Sequence, residues 1–357
     1  MSTSLDTILK EIRPLDSSAM SAAQSRQNNL TKPHGSLGRL EELSIQIAGI
    51  KGEATPKLEH KSIIIMAADH GVAAETVSLY PQEVTRQMVL NFLKGGAAIN
   101  VLAGQIGARV IVVDMGVKDG FQPLPGLLCK MIDFGTQNIT RGPAMTRQQA
   151  IDTIEAGIQT VEAEMAKRVD IIGTGDMGIG NTTASSAIFA AISGKQPKKI
   201  TGRGTGIGDK QLAHKIKVIE RALSVNKPNP KDPIDILSKV GGFEIGGLAG
   251  VMLASAAYRI PVVIDGFISG TAALIATGLS PQARDYLIAA HVSAESGHEM
   301  LLQFLGMKPL LNLNMRLGEG TGAVLGISLA EAATRTLSQM ATFAQAGVSE
   351  AKPLEPQ

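Results

Sequence analysis

Glu319 stands alone among glycines in LNLNMRLGEGTGA, residues 311–323, with Gly318, Gly320 and Gly322 at every second position around it. Positions without side chains let a ligand reach both backbone and acid, so Glu319 is a candidate catalytic base. Such a carboxylate removes a proton best when its pKa lies near the working pH. Close ahead of a helix N-terminus the pKa should fall; partial burial is expected to restore it. Upstream, Leu311, Leu313 and Met315 alternate with Asn312, Asn314 and Arg316, a period of two that predicts a half-buried strand leading into the acid.

Two more glycine clusters carry a different chemistry. GTGDMGIGNTTASSA, residues 173–187, follows the apolar run VDII and opens into an Ala-rich helix. Its glycines free backbone N–H groups to face an anion, and Asn181, Thr182 and Thr183 put polar side chains at the helix start; helix N-termini with bare amides hold phosphate. TGRGTGIGDKQLAHKI, residues 201–216, repeats the arrangement and adds Lys215. A pair of such turns with a lysine suits one phosphorylated sugar. Gly173, Gly175 and Gly178 also satisfy GxGxxG, which makes an NAD-dependent oxidoreductase the alternative. A dinucleotide fold wants an acid about twenty residues on for the ribose hydroxyls, and SGKQPKKITG, residues 193–202, offers none. No GxxxxGK[ST] pattern speaks for nucleoside triphosphate hydrolysis.

These turns need a scaffold, and the chain spells one. KSIIIMAADHG, RVIVVDMG, VDIIGTGDMG and IPVVIDG, starting at 61, 109, 169 and 260, are continuous apolar runs, each meeting an Asp close to Gly. Runs of this kind fit strands buried on both faces. Ala-rich helical stretches lie between them, so the expected fold is α/β: a Rossmann-like parallel sheet flanked by helices with right-handed crossovers. Ligands then bind outside the carboxyl ends of the strands, where Asp69, Asp114, Asp176 and Asp265 gather. At least two of the four are expected to be only turn or cap residues. His291 and Glu295, at i, i+4, have a metal-pair spacing, but Gly297 interrupts and no third ligand follows at a familiar distance, so no metal is expected. Ser293 beside them is a better anion contact.

Composition narrows the class. Of 357 residues 44% are hydrophobic but only 3% aromatic, with no Trp, which suits small-residue helices packed closely on a sheet. Lys and Arg number 34 against 32 Asp and Glu, a net charge of +2 without long runs of one sign, so no nucleic-acid footprint exists. One cysteine, Cys129, precludes an internal disulfide and points to a reducing compartment. The N-terminus lacks a signal-peptide pattern and no apolar window suffices for a membrane span, so a cytoplasmic location is expected.

LTKPHGSLGRLE, AADHGV, PQEVT, GTGDMGIGNTT, GRGTG, SAESGH and RLGEGTGA, in this order over residues 30–323, resemble the nicotinate-nucleotide–dimethylbenzimidazole phosphoribosyltransferase family of cobalamin lower-ligand biosynthesis. The resemblance implies transfer of 5-phosphoribosyl from nicotinate mononucleotide to a benzimidazole nitrogen, giving α-ribazole 5′-phosphate and nicotinate, without a cofactor. It also implies a homodimer whose large α/β domain, residues 61–300, is accompanied by a small helical domain. N-terminal helices in 1–60 and the glutamate loop and C-terminal helices of 301–357 would build that small domain. Glu319 then takes the proton from the acceptor's other ring nitrogen. Asp176 stands where the family usually has Glu, a reach one methylene shorter. Lys215 would contact phosphate or ribose. The substrate-binding set expected on these motifs is Gly175, Met177, Gly178, Gly180, Asn181, Thr182 and Thr183, then Arg203, Gly204 and Thr205, then Asp265, Gly266, Ser293, Leu317 and Gly318. In SLYPQEVTRQM, Tyr80, Gln82, Glu83 and Met88 would flank the incoming base; some members have Ser and Gln where Tyr80 and Met88 stand. Apolar groups there would discriminate differently among benzimidazole, phenolic and purine-like acceptors. Ser296 replaces the Pro of the family's SAEPGH.

Overall fold

A computed structural model describes residues 3–349. Its sheet has six strands: β1 Lys61–Ala68, β2 Arg109–Gly116, β3 Leu127–Cys129, β4 Ile171–Met177, β5 Val262–Ile264 and β6 Leu287–Ala289. All neighbours run parallel, in the order β3-β2-β1-β4-β5-β6. This is the α/β fold expected from the apolar runs. β1, buried along its whole length, lies at the centre because Ile63, Ile64 and Ile65 present branched apolar side chains to both faces. The strand order reverses between β1 and β4, and ligands of open parallel sheets bind in the crevice at such a switch.

Two strands lie outside the sequence expectation. β3 and β6 have three residues each, too short for periodicity to register. The predicted strand over 311–316 does not form. Val292 N donates to Leu311 O and Ala294 N to Met315 O, so two residues on one side face four on the other, and Asn314 adopts a left-handed φ of 55°. The segment bulges, and Leu313 is exposed.

The helices Arg147–Met165 and Phe243–Ala257 pack on each other through their backbones. A Cβ on Gly157 would stand 2.0 Å from Gly247 O, and one on Gly250 would stand 1.9 Å from Ile154 O. Contacts this close explain the small-residue run of the second helix.

The chain forms two compact units, one of residues 1–13 with 60–327 and the other of 14–59 with 328–357. The divisions therefore fall at 13/14, 59/60 and 327/328, not at 60/61 and 300/301. The first helix, Leu5–Glu11, capped by Ser4, groups with the sheet because Leu5, Ile8 and Ile12 are buried and Leu5 N donates to Glu155 Oε1. The Glu319 turn groups there as well. In the second unit Ala23, Ala48 and Leu337 form a core, and buried Lys32 pairs with Glu41 at 2.7 Å; residues 350–357 lie outside the described set. Among the described residues no helix is long and apolar enough to cross a membrane.

Overpacking a close helix contact costs about 1–3 kcal/mol. Gly157→Ala is therefore expected to lower the denaturant midpoint by a corresponding amount, and an unchanged midpoint would contradict the backbone contact with Gly247.

Candidate active site

At the carboxyl edge of the sheet a cavity of about 570 Å³ opens over the ends of β4, β5 and β6. Glu319 reaches it from a turn in which three successive residues are left-handed: Gly318 at φ 81°, Glu319 at 64° and Gly320 at 92°. A non-glycine residue held there costs on the order of 1–3 kcal/mol, and such strain persists where the surroundings over-determine it. Two features do so. Gly175 on β4 has no side chain, and a Cβ there would stand 2.5 Å from Glu319 O. Asp265, just past β5, accepts from Gly320 N at 3.1 Å through Oδ2, and from Gly322 N at 2.7 Å and Ala323 N at 3.1 Å through Oδ1. Gly322 and Ala323 belong to the first turn of the helix Thr321–Gln339, so Asp265 caps that helix from a neighbouring strand.

Glu319 is only 6% exposed, and its Oε2 has no hydrogen-bond partner. Burial, helped by the Asp265 carboxylate, raises its pKa from 4.5 to about 7. Burial by the protein itself is the main cause of that rise. Asp176, at the end of β4, is also buried, with Asn181 Nδ2 donating to its Oδ2 at 3.0 Å. Burial, then the charges of Asp265 and Glu244, pushes its pKa well above the ordinary carboxylate range.

The opposite side of the cavity is cationic. Gly180, at φ 101°, starts the helix Asn181–Ser193, and Asn181 and Thr182 line the wall together with Gly204 and Thr205 of the second glycine turn. Lys215 is 1% exposed and donates from Nζ to Thr182 Oγ1 at 2.7 Å. It sits behind Gly204, where a Cβ would stand 3.3 Å from Nζ. Arg316 lines the cavity and donates to Gly204 O at 3.2 Å. A third sector is apolar, with Val84 and Met88 one turn apart on the helix Glu83–Leu93, together with Tyr80, Met177 and Leu317.

Of the residues singled out in the sequence, Gly178, Gly180, Gly266, Ser293 and Gly318 also lie on the wall. Others do not. Gly175 and Asp265 back the Glu319 turn. Thr183 is buried in its helix. Arg203 turns away to Asp209, and Arg316 supplies a cavity guanidinium instead. Gln82 donates to His70 O at 3.1 Å, and Glu83 is exposed, because the face of its helix that meets the cavity carries Val84 and Met88. Asp114 accepts from Gly116 N and Val117 N as an expected turn residue, whereas Asp69 reaches across to accept from Lys118 N in the loop after β2.

Sequence reasoning missed Val77, Ser78, Ile179 and Phe267 on the wall, along with His291 and Glu295. The last two are not on a helical face: β6 ends at Ala289 and the next helix starts at Ser296, so their loop brings both into the cavity without i, i+4 geometry. Position directly after a strand was the available signal. Among the described residues no group of three or more His, Cys, Asp or Glu is arranged to hold a metal ion.

A family model described as Phosphoribosyltransferase matches residues 12–348. The chain is 59% identical over 344 residues to a nicotinate-nucleotide–dimethylbenzimidazole phosphoribosyltransferase of Desulforudis audaxviator (strain MP104C), covering 96% of this chain and 98% of that one. A protein of the same name from Roseiflexus sp. (strain RS-1) is 59% identical over 345 residues, covering 97% and 98%. The crystal structure of a phosphoribosyltransferase of that name from Thermus thermophilus is 43% identical with a TM-score of 0.90, covering 94% of this chain and 100% of that one.

The folded-state pKa of Glu319 lies above its ordinary value, so its protonated form stabilises the fold fully below about pH 4.5, and that contribution is lost as pH rises through about 7. Glu319→Gln, which keeps the shape without the charge, is expected to gain on the order of 2–3 kcal/mol over the parent between pH 5 and pH 8. Parallel stability curves for the two proteins would remove the buried charge from the account.

Proposed function

The chain belongs to the nicotinate-nucleotide–dimethylbenzimidazole phosphoribosyltransferase family, and from that premise we infer how its cavity carries out the reaction. The enzyme moves 5-phosphoribosyl from nicotinate mononucleotide to 5,6-dimethylbenzimidazole or a related base. The bond from C1′ to the nicotinate nitrogen breaks, with the electron pair leaving on the ring. A bond from C1′ to one acceptor nitrogen forms, and the proton on the other nitrogen goes to Glu319. Pyridinium is already a good leaving group, so the protein's tasks are to fix the phosphoribosyl, slot the incoming ring and accept one proton. Membership of this family leaves no support for the NAD-dependent oxidoreductase alternative.

The observation that carries the role of Glu319 is its buried, unpartnered Oε2 on the cavity wall with a pKa of about 7. A base poised there is half-ionised near neutrality and strong enough to matter when the acceptor's N–H acidifies as the new bond forms. The phosphate is assigned to Thr182, Gly204, Thr205, Ser293 and Arg316, with Lys215 behind them. Helix amides, hydroxyls and cations in one sector support that assignment. The acceptor ring is assigned to the slot of Tyr80, Val84, Met88 and Leu317. Asp176, its pKa raised by burial, is assigned to positioning the nucleotide. Tyr80 and Leu317 line the cavity but stay more than half exposed at 54% and 57%. That exposure suits a slot open to an incoming ring. The homodimer is carried by the family resemblance alone; sedimentation is expected to give twice the chain mass.

The deciding measurement is nicotinate release on incubation with nicotinate mononucleotide and a panel of benzimidazoles and phenols. Release is expected with at least one acceptor, and none with any would overturn the reading. The rate should rise with pH through about 7 as Glu319 loses its proton, and Glu319→Gln should lower kcat by about 10²–10⁴. Turnover near the parent's would take Glu319 out of the mechanism.

A further inference from the structure

The polar residues of PQEVT, residues 81–85, have no task in the reaction as described. On the helix Glu83–Leu93, Val84 and Met88 line the cavity, while Thr85 is fully buried with Val89 and Phe92 on a neighbouring face. Thr85 Oγ1 accepts from Ile179 N at 3.1 Å. Gln82 stands at the N-cap position without giving the helix a side-chain cap; its Nε2 donates to His70 O at 3.1 Å instead. A helix start ordinarily takes a side-chain bond to its own amides. Here that local gain is forgone and a tie to a distant part of the chain is made, a pattern found at functional sites.

Both ties end at the nucleotide side of the cavity. Ile179 sits in the turn between β4 and the helix Asn181–Ser193, on a stretch from Met177 to Thr182 that lines the wall without a break. His70, just past β1, lies against the same turn: a Cβ on Gly180 would stand 3.2 Å from its Cβ, and one on Gly178 would stand 2.3 Å from Ala68 O. Glu244 fixes the fully buried His70 ring in turn, with Nε2 and Oε1 at 2.7 Å. The glycine turn thus rests on the end of β1 by backbone contact of its own. The helix of the acceptor slot is placed differently. Burial of Val89 and Phe92 holds it on the sheet, but apolar burial is non-directional. Arg86 Nε donates to Gly120 O at 3.3 Å, a tie that leads away to the loop after β2. Thr85 and Gln82 are the side chains that register this helix against the turn.

We propose that Thr85, with Gln82, is a positioning residue for phosphoribosyl transfer: it fixes the helix that lines the acceptor slot against the turn that lines the nucleotide site, and so sets the distance between the attacking nitrogen and C1′. The inference rests on the assignment of the acceptor ring to the slot of Tyr80, Val84, Met88 and Leu317. A displacement needs the reacting atoms about 3–3.5 Å apart, and a misplacement of about 1 Å costs on the order of 10²-fold in rate. Without the hydroxyl, Ile179 N is a buried donor with no acceptor, a state that helix and turn relieve by shifting apart.

The test compares Thr85→Val, which keeps the shape, with Thr85→Ser, which keeps the hydroxyl. Nicotinate release is followed in a single turnover, with enzyme in excess over nicotinate mononucleotide and with a saturating level of the benzimidazole or phenol that the parent turns over fastest. The amplitude then reports the active fraction, and the rate constant at saturating enzyme reports the transfer step. Thr85→Val should lose about 10- to 100-fold in that rate constant, while the enzyme concentration giving half the maximal rate stays near the parent's, because the glycine turn keeps its own support on β1. Thr85→Ser should keep the parent's rate constant. A Thr85→Val protein whose loss is confined to the amplitude, or whose half-saturating concentration rises by the same factor as the rate falls, overturns the inference alone. So does a Thr85→Ser protein as slow as Thr85→Val. A parent that releases nicotinate with no acceptor overturns the reaction on which the inference rests. If Thr85→Val does not fold, Gln82→Met decides: it removes the second tie from a half-buried position, and an unchanged rate constant overturns the proposal.

Discussion

Three backbone amides held by one buried carboxylate set the geometry of this site. Asp265 takes Gly320 N, Gly322 N and Ala323 N, so the first turn of the helix Thr321–Gln339 is capped by a residue more than fifty positions earlier in the chain. Charge-assisted bonds to backbone amides are about twice as strong as neutral ones. Three of them can hold a non-glycine residue left-handed, where the chain would otherwise relax. Glu319 owes its direction to that clamp and to the missing side chain at Gly175. The same carboxylate adds to the burial that raises the pKa of Glu319. One group therefore sets where the carboxyl points and adds to the rise that burial gives its pKa.

The sheet makes this possible through its order. With β4 and β5 adjacent, the turn after β4 and the Asp265 position lie side by side at the carboxyl edge, next to the switch between β1 and β4. Acids collect there: Asp176, Asp265 and Glu319 lie at the ends of these strands or against them, and burial penalises the ionisation of Asp176 and Glu319. The counterweight is the sector built by the two glycine turns, where helix amides, Lys215 and Arg316 offer positive charge. A phosphoribosyl compound, anionic at one end and reacting at the other, matches that division of charge across a single cavity.

Much of this can be read along the chain. Apolar runs ending in Asp and Gly mark β1, β2, β4 and β5, because a strand buried on both faces must be apolar throughout. The glycine turns after β4 and around 204 are legible because close approach of backbone to an anion or to another backbone excludes side chains. The misreadings share one cause. Alternation over 311–316 looks like a strand, but alternation records only side-chain direction, and the ladder fails because the pairing bulges and Asn314 is left-handed. Arg203 and Arg316 both flank glycines; which guanidinium faces the cavity depends on whether Asp209 captures it. His291 and Glu295 look like a helical pair until β6 takes up the residues before them.

Glu319 between its glycines is thus a statement the sequence makes alone: an acid, a turn without side chains, a helix to follow, and motifs that identify the family. Its spacing could not say which of four strand-end Asp residues would hold the turn, since Asp69 and Asp114 read alike and both hold the loop after β2. Nor could it say that the pKa of the acid would be raised to about 7, or that Lys215 would lie buried behind Gly204 with the Thr182 hydroxyl. Those outcomes depend on burial and on neighbours far along the chain, and desolvation is a property of the packed molecule that local sequence does not contain.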